Sequence, residues 1–119
     1  MTSSNVAVAE LARPPQDETT LLSVRGLKTY FFADEGTTRA VDDVSFDMSA
    51  GKTLGVVGET GCGKSITARS LLGIVSPPGR IIDGQIFLRR DSGWVDLTKL
   101  PPNGPEMREV RGGDIGLVF

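Results

Sequence analysis

Eight consecutive residues, Gly58-Glu59-Thr60-Gly61-Cys62-Gly63-Lys64-Ser65, carry the spacing G-x-x-x-x-G-K-[ST] of a phosphate-binding (Walker A) loop. The spacing follows from chemistry. Glycines let successive backbone N–H groups turn inward around the α- and β-phosphates of a nucleoside triphosphate, where a Cβ would block the approach. A helix starting at the end of the loop points its positive end at the same anion. Lys64 would reach the β- and γ-phosphates as a point charge. Ser65 would offer its hydroxyl oxygen to Mg²⁺, a hard cation that prefers oxygen ligands. With 15 glycines in 119 residues, the bare pattern arises by chance in roughly 1% of such sequences. Its context lowers that figure, because an apolar, β-branched stretch precedes it and a helical pattern follows.

The other candidate residues have simpler readings beside the chemical ones. Tyr30, Phe31 and Phe32 form an aromatic cluster that could stack on a base; taken alone, the cluster is better read as core. Cys62 is a small residue in a tight loop, with a helix N-terminus and Lys64 beside it that favour a reactive thiolate. Glu59, a carboxylate among phosphates, is read as pointing to solvent. Asp42, Asp43 and Asp47 read as a solvated strand face, and Arg80, Arg89 and Arg90 as surface charge.

The elements that must position these residues are legible as follows. Residues 21–27 read as a strand, and residues 33–39 as a polar loop centred on Gly36. Val44, Phe46 and Met48 alternate with Ser45 and Asp47, the period of a strand with one buried face. A turn at Ser49-Ala50-Gly51 leads to residues 53–57, nearly continuous in apolarity, as in a strand buried on both faces. Residues 65–72 read as a short helix stopped by Gly73. Residues 80–90 form a further strand, joined by Asp91-Ser92-Gly93 to a partner at 94–97. Pro105 starts a helical turn or two, and residues 115–119 read as another buried strand. That last strand would leave an open hydrophobic edge in isolation.

Composition narrows the function classes. Lys and Arg number 13 against 15 Asp and Glu, a net charge of −2, which argues against a nucleic-acid footprint. At 39% hydrophobic and 24% charged residues the chain is too apolar for wholesale disorder and too interrupted for a membrane span. The absence of histidine removes His-based catalysis and the usual zinc sets, and a single cysteine removes internal disulfides. Residues 1–20 show no secretory pattern and read as a flexible tail, so the expected compartment is the cytoplasm.

The chain resembles the ATP-binding subunits of ABC transporters, and among them the oligopeptide and dipeptide importers. The residues that carry the resemblance are Leu21-Leu22-Ser23-Val24, Leu27-Lys28-Thr29-Tyr30-Phe31, Arg39-Ala40-Val41-Asp42-Asp43-Val44-Ser45-Phe46, and the run from Gly51 through Ser65. Pro77-Pro78-Gly79-Arg80-Ile81, Gly84-Gln85-Ile86, the run Met107-Arg108 through Arg111-Gly112, and Asp114-Ile115-Gly116-Leu117-Val118-Phe119 join them. The resemblance implies an α/β fold, a P-loop NTPase of the ABC type. It would be incomplete here, with an antiparallel β-subdomain plus the first part of the parallel-sheet core, over residues 21–119. It implies ATP and Mg²⁺ as cofactors. It makes Tyr30 the adenine-stacking residue, with Phe31 and Phe32 as alternatives. It also implies transmembrane permease subunits and a second, head-to-tail ATP-binding subunit as partners, on the inner face of the membrane.

Departures from the family pattern matter equally. Its glutamine after the strand that ends at Phe119, its LSGGQ signature, its catalytic glutamate and its switch histidine are not in this sequence, and the segment 90–105 is longer than the pattern. The expectation is therefore a chain that binds ATP without hydrolysing it, truncated before the glutamine loop, with Gln as the next encoded residue. The rival readings are another P-loop enzyme, such as a small-molecule kinase, and a non-catalytic nucleotide-binding module.

Overall fold

The first strand shows how sequence phase and structure are reconciled. In the computed structural model, which describes residues 18–55 and 64–116, strand β1 runs Thr20–Ala33 and strand β2 runs Gly36–Ser49. Leu22 and Val24 face the core, as do Leu27 and Thr29, so the buried phase changes from even to odd between them. A bulge around Arg25-Gly26 accounts for this: the pairing moves from Val24↔Phe46 to Leu27↔Val44, three residues on β1 against two on β2. The extra residue returns the apolar side chains to the inner face.

Strands β3 (Gly79–Arg90) and β4 (Gly93–Asp96) complete an antiparallel sheet in the order β2-β1-β3-β4. Its inner face carries Leu22, Val24, Leu27, Val41, Ile86 and Leu88, packed with Leu97, Met107 and Val110 from the segments after β4. Those segments are a 3₁₀ turn at Leu97–Lys99, helix α2 (Pro105–Glu109) and a π-helical turn at Val110–Asp114. Asp96 Oδ1 organises the first of them, accepting from the Thr98 amide at 3.0 Å and the Thr98 hydroxyl at 2.6 Å.

Helix α1 (Lys64–Leu72) lies against the inner face through Ile66 and Leu71. It stops where the sequence says it should. Gly73 has φ +67, its amide donates to the Ser70 carbonyl, and the Ile74 amide donates to the Arg69 carbonyl at 3.0 Å, the double bond of a Schellman cap. Met107, 2% exposed, sits under this cap. Arg111 adds a bracket by donating to the Leu72 carbonyl at 2.9 Å and to the Pro102 carbonyl at 2.8 Å.

Four expectations are corrected. Residues 33–39 are not a loop: β1 and β2 pair down to Ala33↔Gly36, with only Asp34 and Glu35 in the turn. Thr37 and Thr38 are β-branched, and on an exposed edge strand their polarity imitates a loop. The strand expected at 53–57 does not form over Thr53–Gly55, which are irregular and exposed, while 56 and 57 lie outside the described residues. A parallel strand needs ladder partners, and the described residues supply none there. Ile115 and Gly116 are likewise not in a strand, and 117–119 lie outside the described residues. Finally, the arginines are not idle surface charge. The Arg90 side chain is 18% exposed and gathers Asp114 at 2.7 Å, Glu109 at 3.4 Å and Glu106 at 3.5 Å, docking α2 and the π turn onto the end of β3. Arg89 lies over the Trp94 ring and donates to the Glu18 carbonyl, and Arg80 lies over Phe32.

Candidate functional site

Lys64 and Ser65 are the first two residues of α1, Lys64 half-buried and Ser65 exposed. No acidic residue occupies the first turn of this helix. The positive end of its dipole is therefore not neutralised by a carboxylate of its own, the condition under which a helix N-terminus attracts an anion. Gly58, Glu59, Thr60, Gly61, Cys62 and Gly63 lie outside the described residues. The donor chemistry at Ser65 suits Mg²⁺ held mainly by phosphate oxygens: a single hydroxyl oxygen is offered, and no group of three or more carboxylate, Cys or His side chains forms a metal cage among the described residues.

The three aromatics separate by face. The Phe31 ring packs over Gly79 so closely that a Cβ there would lie 2.4 Å from Phe31 Cε2, so Phe31 is committed to packing. Tyr30 and Phe32 share the opposite face, ring centroids 6.3 Å apart. Each carries a guanidinium: Arg39 lies 5.6 Å from the Tyr30 centroid and Arg80 lies 4.8 Å from that of Phe32. The Tyr30 hydroxyl donates to Asp42 Oδ1 at 2.6 Å, so Asp42 is not merely a solvated acid. Asp47 is likewise engaged, accepting from the Ser23 hydroxyl at 2.5 Å.

That bond to Asp42 raises the Tyr30 phenol above its ordinary value of 10.0, with desolvation and the Asp42 charge acting in the same direction. Tyr30 is the chain's sole tyrosine, so its titration can be followed by phenolate absorbance. Its midpoint is expected above 10.0, and Asp42→Ala should bring it down. Because the folded value is raised, the contribution of the neutral phenol to stability is present below the unfolded value and lost as pH rises through the folded one. A midpoint that Asp42→Ala leaves unmoved would break the assignment.

Sequence reasoning missed four side chains around the candidate site. Arg39 was hidden by reading 33–39 as a loop and Asp42 by reading it as part of a solvated strand face; counting back from a two-residue turn at Asp34-Glu35 places Arg39 opposite Tyr30. Thr29 and Ser70, whose hydroxyls meet at 2.8 Å across 41 residues, left no local signal.

Residues 41–116 match the family model described as ABC transporter. Among curated relatives, the chain is 41% identical over 100 residues to the dipeptide transport ATP-binding protein DppD of Bacillus subtilis (strain 168), covering 83% of this chain and 28% of the relative. It is 44% identical over 101 residues to the oligopeptide transport ATP-binding protein AppD of the same organism, covering 84% and 29%. To the oligopeptide transport ATP-binding protein OppD of Escherichia coli (strain K12) it is 36% identical over 117 residues, covering 96% and 33%. The matched region is thus about a third or less of each relative's length.

Proposed function

The chain belongs to the ABC transporter family, and from that premise we propose that residues 21–119 form the N-terminal part of an ATP-binding domain that powers peptide import. The observation that carries this reading is the placement of Lys64 and Ser65 at the start of α1, with no acid in its first turn and an antiparallel sheet packed on its flank. Backbone amides of Gly58, Glu59, Thr60, Gly61, Cys62 and Gly63 cradle the α- and β-phosphates, and Lys64 places its charge beside the β- and γ-phosphates. Ser65 contributes one oxygen to Mg²⁺. Tyr30 offers a ring face to the adenine and Asp42 fixes that ring through its hydroxyl.

When bound, ATP supplies the phosphoanhydride whose cleavage drives transport. The complete protein works with permease subunits and a second ATP-binding subunit, and so sits against the inner face of the membrane. No helix among the described residues is long and apolar enough to cross it.

Equilibrium binding of Mg-ATP followed by a turnover assay tests the reading on the 119-residue chain. Saturable binding without phosphate release is expected, because the sequence contains neither an LSGGQ segment nor a histidine. Phosphate transfer to an added acceptor would mark a kinase instead, and no binding at all would mark a module that folds around the loop without using it.

A further inference from the structure

The nucleotide reading places its two ends on different elements, the phosphates at the start of α1 and the base on β1. One buried contact ties those elements together. Thr29 is 0% exposed and Ser70 is 2% exposed, and their hydroxyl oxygens lie 2.8 Å apart. The Ser70 hydroxyl donates to the Ile66 carbonyl at 2.7 Å. Its single proton is thereby committed, so Thr29 is the donor and Ser70 the acceptor between them. Both rotamers are fixed by this relay.

An apolar pair at these positions would fill the same space but could slide, whereas a hydrogen bond has a preferred length and direction. Ser70 lies five residues beyond Ser65, about 7.5 Å along the helix axis. Tyr30 follows Thr29 directly, about 3.3 Å along the strand and on the other face. At this point β1 is paired on both sides, Thr29 with Val41 and Ile81, Tyr30 with Arg39 and Arg80. Tyr30 therefore cannot shift relative to α1 unless Thr29 shifts with it.

Resting on the nucleotide assignment above, we propose that Thr29 and Ser70 are positioning residues for ATP: their hydrogen bond sets the offset between the aromatic that receives the base and the helix end that receives the phosphates. Neither residue touches the ligand. Their removal therefore lowers the affinity for a molecule that must span both ends and spares one that occupies the phosphate end alone.

The test uses the full chain and two probes, Mg-ATP and inorganic tripolyphosphate, titrated calorimetrically. Thr29→Val and Ser70→Ala are each expected to weaken ATP about fivefold while tripolyphosphate changes by less than about twofold, the size of one net hydrogen bond. Thr29→Ser keeps the donor and should retain the ATP affinity. The double variant Thr29→Val, Ser70→Ala leaves no orphaned hydroxyl, so it decides the matter if either single variant fails to fold.

Parallel loss of both probes in the double variant, or unchanged ATP affinity in it, would overturn the positioning role. Wild-type chain that binds neither probe would overturn the nucleotide reading itself, a result separable from the first. Wild-type chain that binds tripolyphosphate as tightly as ATP would remove the base end of the site and the spacer with it.

Discussion

Replacing Lys64 with alanine lowers affinity for Mg-ATP by about ten- to a hundredfold and leaves AMP affinity within about twofold, because a charge-assisted contact to a phosphate contributes about 1.5–3 kcal/mol. Lys64 opens α1 and is half-buried, so its side chain leaves from the N-terminal end of the helix, the end that favours an anion. AMP has only the α-phosphate, which the reading assigns to backbone amides of the preceding loop, so it does not need this side chain. The ATP/AMP affinity ratio therefore isolates the role of Lys64 from any general loosening of the loop. An equal loss for both nucleotides would show that Lys64 supports the loop's shape and does not reach the β- and γ-phosphates.

Gly84→Ala is expected to be the most destabilising single methyl group in the sheet. Gly84 has φ +101, and a Cβ there would lie 2.6 Å from the Gly26 carbonyl oxygen, 2.6 Å from Leu27 Cα and 2.8 Å from the Arg25 carbonyl oxygen. These are all backbone atoms of the β1 bulge, and no flexible side chain can move aside. The strained conformation alone costs on the order of 1–3 kcal/mol, and the contact must then be relieved by separating β1 from β3 where Arg25↔Gln85 gives way to Lys28↔Asp83. A total of about 3 kcal/mol or more corresponds to a fall in Tm of at least about 12 °C for a domain of this size. Gly93, at φ +117 with nothing within 4 Å of its Cβ position, provides the control. Gly93→Ala bears the conformational cost without the collision, so its Tm should fall by much less. Equal falls would mean that β1 and β3 are not so closely apposed at the bulge.

The phosphate-loop motif stands in the sequence as covalent spacing, its residues 58–63 lying outside the described ones, and the helix that follows was legible because Gly73 supplies the cap its last turn needs. Strands 44–48 and 80–90 were legible from alternation and from a clear turn at Asp91-Ser92. The bulge was not: Leu22 and Val24 belong to one phase and Leu27 and Thr29 to the other, and only the pairing with β2 and β3 shows that they share a face. Nor was the Arg90 cluster, whose carboxylates lie 16 to 24 residues downstream and come together only through docking of α2. The extended stretches expected at 53–57 and 115–119 rest on apolarity alone, and over 53–55 and 115–116 the described residues offer no ladder for them to join. The aromatic end of the proposed site was half legible. An aromatic cluster can be read from the sequence, but which ring packs over Gly79 and which lies beside Arg39 depends on strand register.

The central claim is that residues 58–65 cradle a triphosphate with their backbone amides, and amide hydrogen exchange observes those amides directly. Exchange should be followed on the full 119-residue chain, in a peptide spanning residues 54–66, with no ligand, with saturating Mg-AMP and with saturating Mg-ATP. Strong slowing in Mg-ATP, with much weaker slowing in Mg-AMP, is the result the account predicts. Unchanged exchange across 58–65 at saturating Mg-ATP would contradict it.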